Sequence, residues 1–565
     1  MVKNLLRQKL ENKFLDVDFD VLVPPNPKMG DYSANIAFAL GKKEGKDPMK
    51  SGEGLASELN KDKDLAGIFE KIEAVKPGFV NFYLKDDFIR TKLSEMAEDK
   101  NYGFNETMKG KTVMVEYTDP NPFKLFHIGH LMSNTIGEAI ARLYEASGAK
   151  VLRANYQGDV GLHVALTIWA IKSGKVGAMP PENELLDEKI KYLGNAYALG
   201  SSYYYKTLAE GGPDFRQEIH EINNKIYKKD DPQITELYEK GKRWSLDYFE
   251  TIYKKLGTKF NRYFFESEAA TDGLRIVGQH PDVFVESDGA KVFKGEEYGL
   301  HTRVFVSSKG LPTYESKELG VNKKKFEKDN LDLSIIVTGN EINDYFKVLL
   351  KVMELTMPEV VARTRHISHG MLRLPGGKMS SRTGDVITAD SLIEQTKEKL
   401  PESESGEAKE KIAIGAIKYS ILKQSPGHDI IFDFDKSLSV KGDSAPYLQY
   451  TYARFNNIVT KSESNPSIGS VDPAYLNEPV EVSLMKYLFR FPEIVKESGE
   501  EIAPQHLALY LYELSNEINR FYESVRVLED ENAERRNARL ILVETVATVL
   551  KRGLNLLGIE TPKRI

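Results

Sequence analysis

Hydrophobic and polar positions alternate with different periods along this chain, and the clearest change of period lies between residues 111 and 156. Thr112-Val113-Met114-Val115-Glu116-Tyr117 is an apolar, β-branched run of strand length. A breaker-rich stretch follows, Thr118-Asp119-Pro120-Asn121-Pro122-Phe123-Lys124. Apolar residues then recur at Ile128, Leu131, Met132, Ile136, Ala139, Ile140, Leu143 and Tyr144, the spacing of one helix face. Gly148 closes that helix, and Val151 to Tyr156 reads as a second strand. A strand–loop–helix–strand unit predicts parallel strands joined by a right-handed crossover.

The same reading divides the rest. Near the start, Pro24 to Tyr32 reads as a turn, a helix runs through Asn35 to Leu40, and Lys76 to Leu84 reads as a turn and an alternating strand. Residues from about 165 to 265 are polar and helical, and strands resume between about 280 and 310. Leu333 to Gly339 is a further apolar strand. From about 405 the pattern becomes long helices, over 408–424, 444–461, 483–500, 504–529 and 533–557.

Composition narrows the class. With 565 residues, 41% hydrophobic and 29% charged, the chain has the make-up of a soluble protein of two to four domains. No apolar run is long enough to cross a membrane, and Met1 to Leu6 lacks a signal-peptide core. The absence of cysteine excludes disulfides and thiolate metal sites and fits a reducing cytoplasm. A net charge of −6 means that any nucleic acid must be held by local basic patches.

Three groups of residues carry candidate chemistry. His127-Ile128-Gly129-His130 opens the helix after the first strand. A helix N-terminus attracts phosphate, two histidines three apart share its first turn, Gly129 leaves room for a nucleotide, and Lys124 adds a cation upstream. An ordinary helix start with incidental histidines is the alternative. Lys378-Met379-Ser380-Ser381-Arg382, opened by Pro375-Gly376-Gly377, is a glycine-rich loop tipped with Lys and Ser. It can close on a triphosphate or be a plain solvated loop. Tyr314 and Glu318 share a helix face and, with Glu116 at a strand end, offer two carboxylates and an aromatic ring. That set suits a planar guanidinium, although a surface Glu and a core Tyr would look the same.

The first two motifs together resemble the signatures of class I aminoacyl-tRNA synthetases, and their details resemble arginyl-tRNA synthetase most. Lys124 stands where members with an incomplete second motif carry a compensating lysine. The resemblance implies an α/β Rossmann-like nucleotide-binding catalytic domain over 106–400, with a helical insertion at about 165–265. A small N-terminal α/β domain, 1–105, would contact tRNA, and a C-terminal all-α bundle, 401–565, would bind the anticodon. It implies an ATP-dependent arginine–tRNA ligase that makes arginyl-adenylate and then charges tRNA(Arg), with AMP and pyrophosphate as products.

By the same resemblance, catalysis falls to His127, His130, Lys124, Lys378 and Ser380, and ATP also meets Gly129 and Met379. Arginine falls to Glu116, Asn121, Tyr314, Glu318 and Asp159, the last in the turn Gly158-Asp159-Val160-Gly161. Transfer RNA falls to Asn35, Phe79 and Asn81 in the first domain and to Tyr450, Arg454, Tyr512, Asn519 and Tyr522 in the last. Mg²⁺ would accompany ATP with no protein-bound metal, and the chain is expected to be a cytoplasmic monomer. A synthetase for another amino acid, or a non-catalytic RNA-binding relative, are the alternatives.

Overall fold

The run at 112–117 forms strand β5, Thr112–Glu116, at the centre of a five-stranded sheet. The structure, a computed structural model, describes residues 1–205, 214–375, 387–402, 404–462, 466–467, 469 and 471–562. By its internal contacts the chain divides into two compact units. One comprises Met1–Phe104, Tyr450–Glu497 and Tyr510–Gly553; the other comprises Asn105–Gln449, Ser498–Leu509 and Leu554–Ile565.

In the first unit, β1 (Val21–Leu22), β2 (Tyr32–Ala34), β3 (Phe69–Val75) and β4 (Phe79–Leu84) make an antiparallel sheet in the order β1-β2-β4-β3. Helices Ile36–Glu44 and Pro48–Leu59 pack against it. The alternation read at 79–84 is β4. Long C-terminal helices belong to the same unit: Tyr32 donates from its hydroxyl to the buried Glu493 carboxylate at 2.9 Å.

In the second unit, β5 pairs in parallel with β6 (Lys150–Gln157) on one side, and β7 (Arg262–Phe265) lies beyond β6. An antiparallel three-stranded sheet, β8 (Val285–Ser287), β9 (Ala290–Phe293) and β10 (Arg303–Val306), follows in sequence. The chain then returns to the other side of β5 with β11 (Leu333–Gly339) and β12 (Thr364–His369), both parallel. A short pair, β13 (Leu372–Arg373) and β14 (Ile430–Ile431), lies after it. The central order is therefore β12-β11-β5-β6-β7. Its direction of travel reverses between β5 and β11, and the crevice beyond the carboxyl ends at such a reversal is where open parallel sheets hold ligands.

Helix α1, Ile128–Ala146, connects β5 to β6 and is buried along nearly its whole length. The 165–265 region is helical, including Leu186–Tyr205 and α2, Pro232–Lys255. Helix α3, Tyr314–Lys328, precedes β11, and α4, Ala389–Glu398, follows β13. The five C-terminal patterns appear as Gly406–Leu422, Ala445–Lys461, Pro479–Glu500, Pro504–Ser524 and Ala533–Leu556. Among the described residues no helix is long and apolar enough to cross a membrane.

Candidate active site

The loop from β5 to α1 is strained. Thr118, Asp119 and Phe123 have φ of 82°, 47° and 69°, unusual for residues that carry a Cβ. Such strain persists where the surroundings over-determine it. Here the amide of Thr118 donates to Ser133 Oγ at 3.0 Å, that of Phe123 to Ser245 Oγ at 2.9 Å, and Asp119 Oδ1 accepts from the amide of Tyr156 at 2.7 Å.

The two histidines cap α1 together, each ring accepting from a backbone amide of the first turn. His127 is the N-cap, and its Nδ1 accepts from the amide of Gly129 at 3.1 Å. His130 Nδ1 reaches back to accept from the amide of His127 at 3.2 Å. This is a capping box in which imidazoles replace the usual hydroxyl and carboxylate. The rings stack at 3.6 Å between centroids. A Cβ on Gly129 would lie 2.9 Å from the His127 ring, so the folded-back cap itself requires the glycine.

Because both Nδ1 atoms accept, each neutral ring carries its proton on Nε2. Burial, with the charge of Lys124, holds the His127 pKa down to about 4. Burial, then His127, Lys124 and His369, holds His130 well below the usual histidine range. At neutral pH the first turn therefore presents two neutral N–H donors and a positive helix end. Lys124 sits upstream with its ammonium 5.2 Å from the centre of the Tyr197 ring.

The segment behind the lysine-tipped loop is bonded to this turn. The amide of Ile128 donates to the carbonyl of Ile387 at 3.2 Å, and that of Ala389 to the carbonyl of Phe126 at 3.0 Å. His127 and Thr388 form an antiparallel bridge. Thr388 in turn caps α4 through Oγ1, and Asp390 accepts from Tyr248 at 2.9 Å and Lys255 at 2.7 Å, both on α2. Lys378, Met379 and Ser380 themselves lie outside the described residues.

Around the end of β5 lies a cluster of buried charge. Lys325 Nζ is 2.8 Å from Glu116 Oε2, with neither side chain reaching solvent. Lys325 also donates to Asn322 Oδ1 at 3.4 Å, and Asn322 Nδ2 donates to Glu318 Oε1 at 3.2 Å. Burial, then the negative charge of Glu116, raises the Glu318 pKa to about 8, against the pull of Lys325. Burial and Glu116 also raise Asp119 well above the carboxylate range. Glu116 and Glu318 thus come together, with Asp119 as a third carboxyl and Lys325 as the cation between the first two.

Beside them, Asn121 packs against Gly158, where a Cβ would lie 2.2 Å from Asn121 Oδ1 and 3.0 Å from Glu266 Oε1. Glu266 is ion-paired to the buried Lys317, whose ammonium also lies 4.7 Å from the centre of the Tyr314 ring. Tyr314 is exposed at the start of α3. Asp159 is placed differently. Its buried carboxylate accepts from Tyr238 Oη at 2.8 Å, Lys242 Nζ at 2.7 Å, and Ser267 through both N at 2.9 Å and Oγ at 2.7 Å. It ties β6 to α2 and to the helix Glu266–Gln279.

In the first unit, Arg454 lies between the rings of Tyr450 and Tyr522, 4.7 Å and 4.6 Å from their centres, and donates to Asn519 Oδ1 at 3.2 Å. Tyr512 is half-buried seven positions before Asn519, on the same helix face. Asn35 precedes its helix and accepts from the amide of Asp20 at 2.7 Å. Phe79 meets Phe38 edge-on at 5.1 Å. Asn81 is buried in the sheet and accepts from Ser33 Oγ at 2.6 Å.

Sequence reasoning missed Lys325, Asp119, Glu266 and Lys317. Lys325 follows Glu318 by seven positions and Lys317 follows Tyr314 by three, helical spacings that put each pair on one face; Asp119 and Glu266 carry no such mark.

Comparison with known proteins agrees along the chain. Residues 1–84 match the family described as arginyl tRNA synthetase N terminal domain. Residues 92–434 match tRNA synthetases class I (R), catalytic domain, and 448–565 match the DALR anticodon binding domain. An arginine–tRNA ligase of Clostridium acetobutylicum is 31% identical over 99% of both chains. One of Fusobacterium nucleatum is 31% identical over 98% of this chain and 97% of its own. The solved arginyl-tRNA synthetase of Thermus thermophilus superposes with a TM-score of 0.82 at 25% identity, covering 100% of both chains.

Proposed function

The chain belongs to the arginyl-tRNA synthetase family, and from that membership we propose that it is an arginine–tRNA ligase working through the crevice between β5 and β11. The observation that carries the reading is the paired histidine cap on α1, bonded to the backbone at 387–389 and set next to buried carboxylates at the end of β5.

ATP would lie with its phosphates over the first turn of α1, where His127 and His130 donate from Nε2. Lys124 and Lys378 would supply positive charge, Ser380 a further donor, and Gly129 and Met379 contacts to the nucleotide. The arginine side chain would enter among Glu116, Asn121, Tyr314 and Glu318, with Asp159 holding the turn beside it. The arginine carboxylate attacks the α-phosphorus in line, the bond to the bridging oxygen breaks, and pyrophosphate leaves. A hydroxyl of the tRNA's terminal adenosine then attacks the carbonyl carbon of the adenylate, and AMP leaves. No covalent enzyme intermediate is needed, so the protein contributes positioning and charge stabilisation.

Mg²⁺ would enter as part of the ATP substrate. The described side chains around the α1 N-terminus are imidazoles and an ammonium, which suit phosphate oxygens rather than a hard cation. Residues 1–105 would contact tRNA through the faces bearing Asn35 and Phe79, while Asn81, buried against Ser33, would hold the strand behind them. The bundle of 401–565 would read the anticodon through Tyr450, Arg454, Tyr512, Asn519 and Tyr522, since unpaired bases stack on aromatics and bond to Arg and Asn. We further infer a cytoplasmic monomer that needs bound tRNA for activation.

The test is ATP–pyrophosphate exchange with each amino acid, with and without tRNA. Exchange with arginine alone among the amino acids is the expected result. Exchange with a different amino acid, or with none, would remove the assignment.

A further inference from the structure

Among the described residues, several buried polar atoms at the carboxyl end of the central sheet lack a hydrogen bond, and on its β12 side one of them is a histidine nitrogen. His369 ends β12, is 5% exposed, and its Nε2 has no hydrogen bond among the described residues. Leaving such a group unpaired is costly, so native proteins rarely bury one without a use. The other ring nitrogen is engaged: Nδ1 donates to the carbonyl of Gly370 at 2.8 Å. That bond fixes the proton on Nδ1 and leaves Nε2 as a bare acceptor. Burial lowers the pKa, which keeps the ring neutral and the lone pair free at neutral pH.

The position is as informative as the tautomer. His369 pairs in register with Gly339 at the end of β11, one strand out from the reversal between β5 and β11. It therefore stands at the carboxyl edge of the sheet, the edge on which the crevice between β5 and β11 opens. The buried acids lie on the opposite side, around β5, β6 and α3. With the triphosphate on α1 and the amino acid toward β6, the nucleoside is left the β11–β12 side, where His369 stands.

We propose that His369 determines nucleotide specificity: its Nε2 accepts a hydrogen bond from a donor on the adenosine moiety of ATP, either the exocyclic amine of the base or a ribose hydroxyl. This inference rests on the ligase reading and adds a residue to it. A missing acceptor in a desolvated pocket weakens binding of the donor-bearing ligand and removes discrimination against the ligand that lacks the donor.

The experiment is arginine-dependent pyrophosphate exchange in the presence of tRNA, with ATP, inosine triphosphate and 2′-deoxy-ATP, for the wild type, His369→Phe and His369→Gln. For His369→Phe the expected result is a KM for ATP raised about tenfold with kcat changed less. The wild-type penalty against one analogue should collapse in that variant. Loss of the inosine penalty identifies the base amine, and loss of the deoxy penalty identifies the ribose. His369→Gln, which keeps an acceptor, should recover part of the discrimination, and melting temperatures of both variants check that the fold is intact. If both analogue penalties stay at wild-type size in His369→Phe, Nε2 faces a structural water and the proposal falls. If His369→Phe does not fold, the same ratios measured in His369→Gln decide: unchanged penalties and an unchanged KM overturn it. Failure of the wild type to exchange with arginine would instead sink the ligase reading.

Discussion

Lys325 and Glu116 form an ion pair of 2.8 Å in which neither side chain reaches solvent, although they stand on different elements, α3 and β5. Glu318 and Asp119 crowd the same pair, so one ammonium serves three carboxyls. Removing one partner of a buried pair leaves an uncompensated charge and costs about 3–5 kcal/mol. Lys325→Met should therefore melt well below the wild type at neutral pH. The deficit should shrink on acidification, because protonating the carboxyls removes their repulsion. Thermal melts at about pH 5.5 and 8 measure this; an equal deficit at both would mean that Lys325 is not the charge holding the acids together.

The raised pKa of Glu318 predicts how arginine binding depends on pH. With a free-state pKa of about 8, the carboxyl is mostly protonated at neutral pH. A guanidinium favours the carboxylate, so binding releases a proton. Affinity for arginine should then rise with pH up to about 8 and level off above it, by at most about tenfold per pH unit. Glu318→Gln should flatten the profile and weaken binding. Titration calorimetry in buffers of different ionisation enthalpy counts the proton directly; a count of zero at pH 7 would contradict the assignment of Glu318.

His127 has two duties that substitution can separate. Its Nδ1 caps α1, and its Nε2–H is free for phosphate. Asparagine is a good N-cap but lacks the distal donor. His127→Asn should keep the wild-type melting temperature while slowing exchange by at least ~10-fold, the scale of lost charge-stabilising donors. His127→Ala should lose both activity and about 1 kcal/mol of stability. Since His127 and His130 both titrate far below 7, exchange should show no inflection from either near pH 6.5.

Lys124→Ala should slow aminoacylation by at least ~10-fold, because the half-buried ammonium is the described cation nearest the capped turn in sequence. Lys124→Arg should recover part of the rate by keeping the charge. A wild-type rate for the alanine variant would deny Lys124 a role in charge stabilisation.

How much of this was legible beforehand follows from which contacts are local. The unit β5–loop–α1–β6 was readable because periodicity is a local signal, and the long helices after 405 were readable for the same reason. The motif around His127 was visible too, but not that its imidazoles form the cap, because a sequence does not show which nitrogen points back. Partners of buried charges were invisible. Glu116 meets Lys325 from 209 positions away, and Asp159 is held by Tyr238, Lys242 and Ser267, so nothing in its own Gly-Asp-x-Gly turn told that its oxygens were taken. Asn81 likewise looked available, yet its strand turns it inward onto Ser33.

The Arg454 site gives a prediction confined to tRNA. Held between Tyr450 and Tyr522 and bonded to Asn519, the guanidinium is rigid and presents remaining donors without further ordering. Two rings and a planar cation make a platform on which an unpaired base can stack, worth about 1–3 kcal/mol per base. Arg454→Ala should raise the KM for tRNA about tenfold and leave the KM values for arginine and ATP unchanged. Tyr522→Phe keeps the ring and should be close to wild type, whereas Tyr522→Ala should resemble the arginine variant, since what matters is the stack rather than the hydroxyl. Steady-state aminoacylation at varied tRNA reads this out. A shift in the KM for arginine of similar size would show that the platform supports the fold and not the nucleic acid.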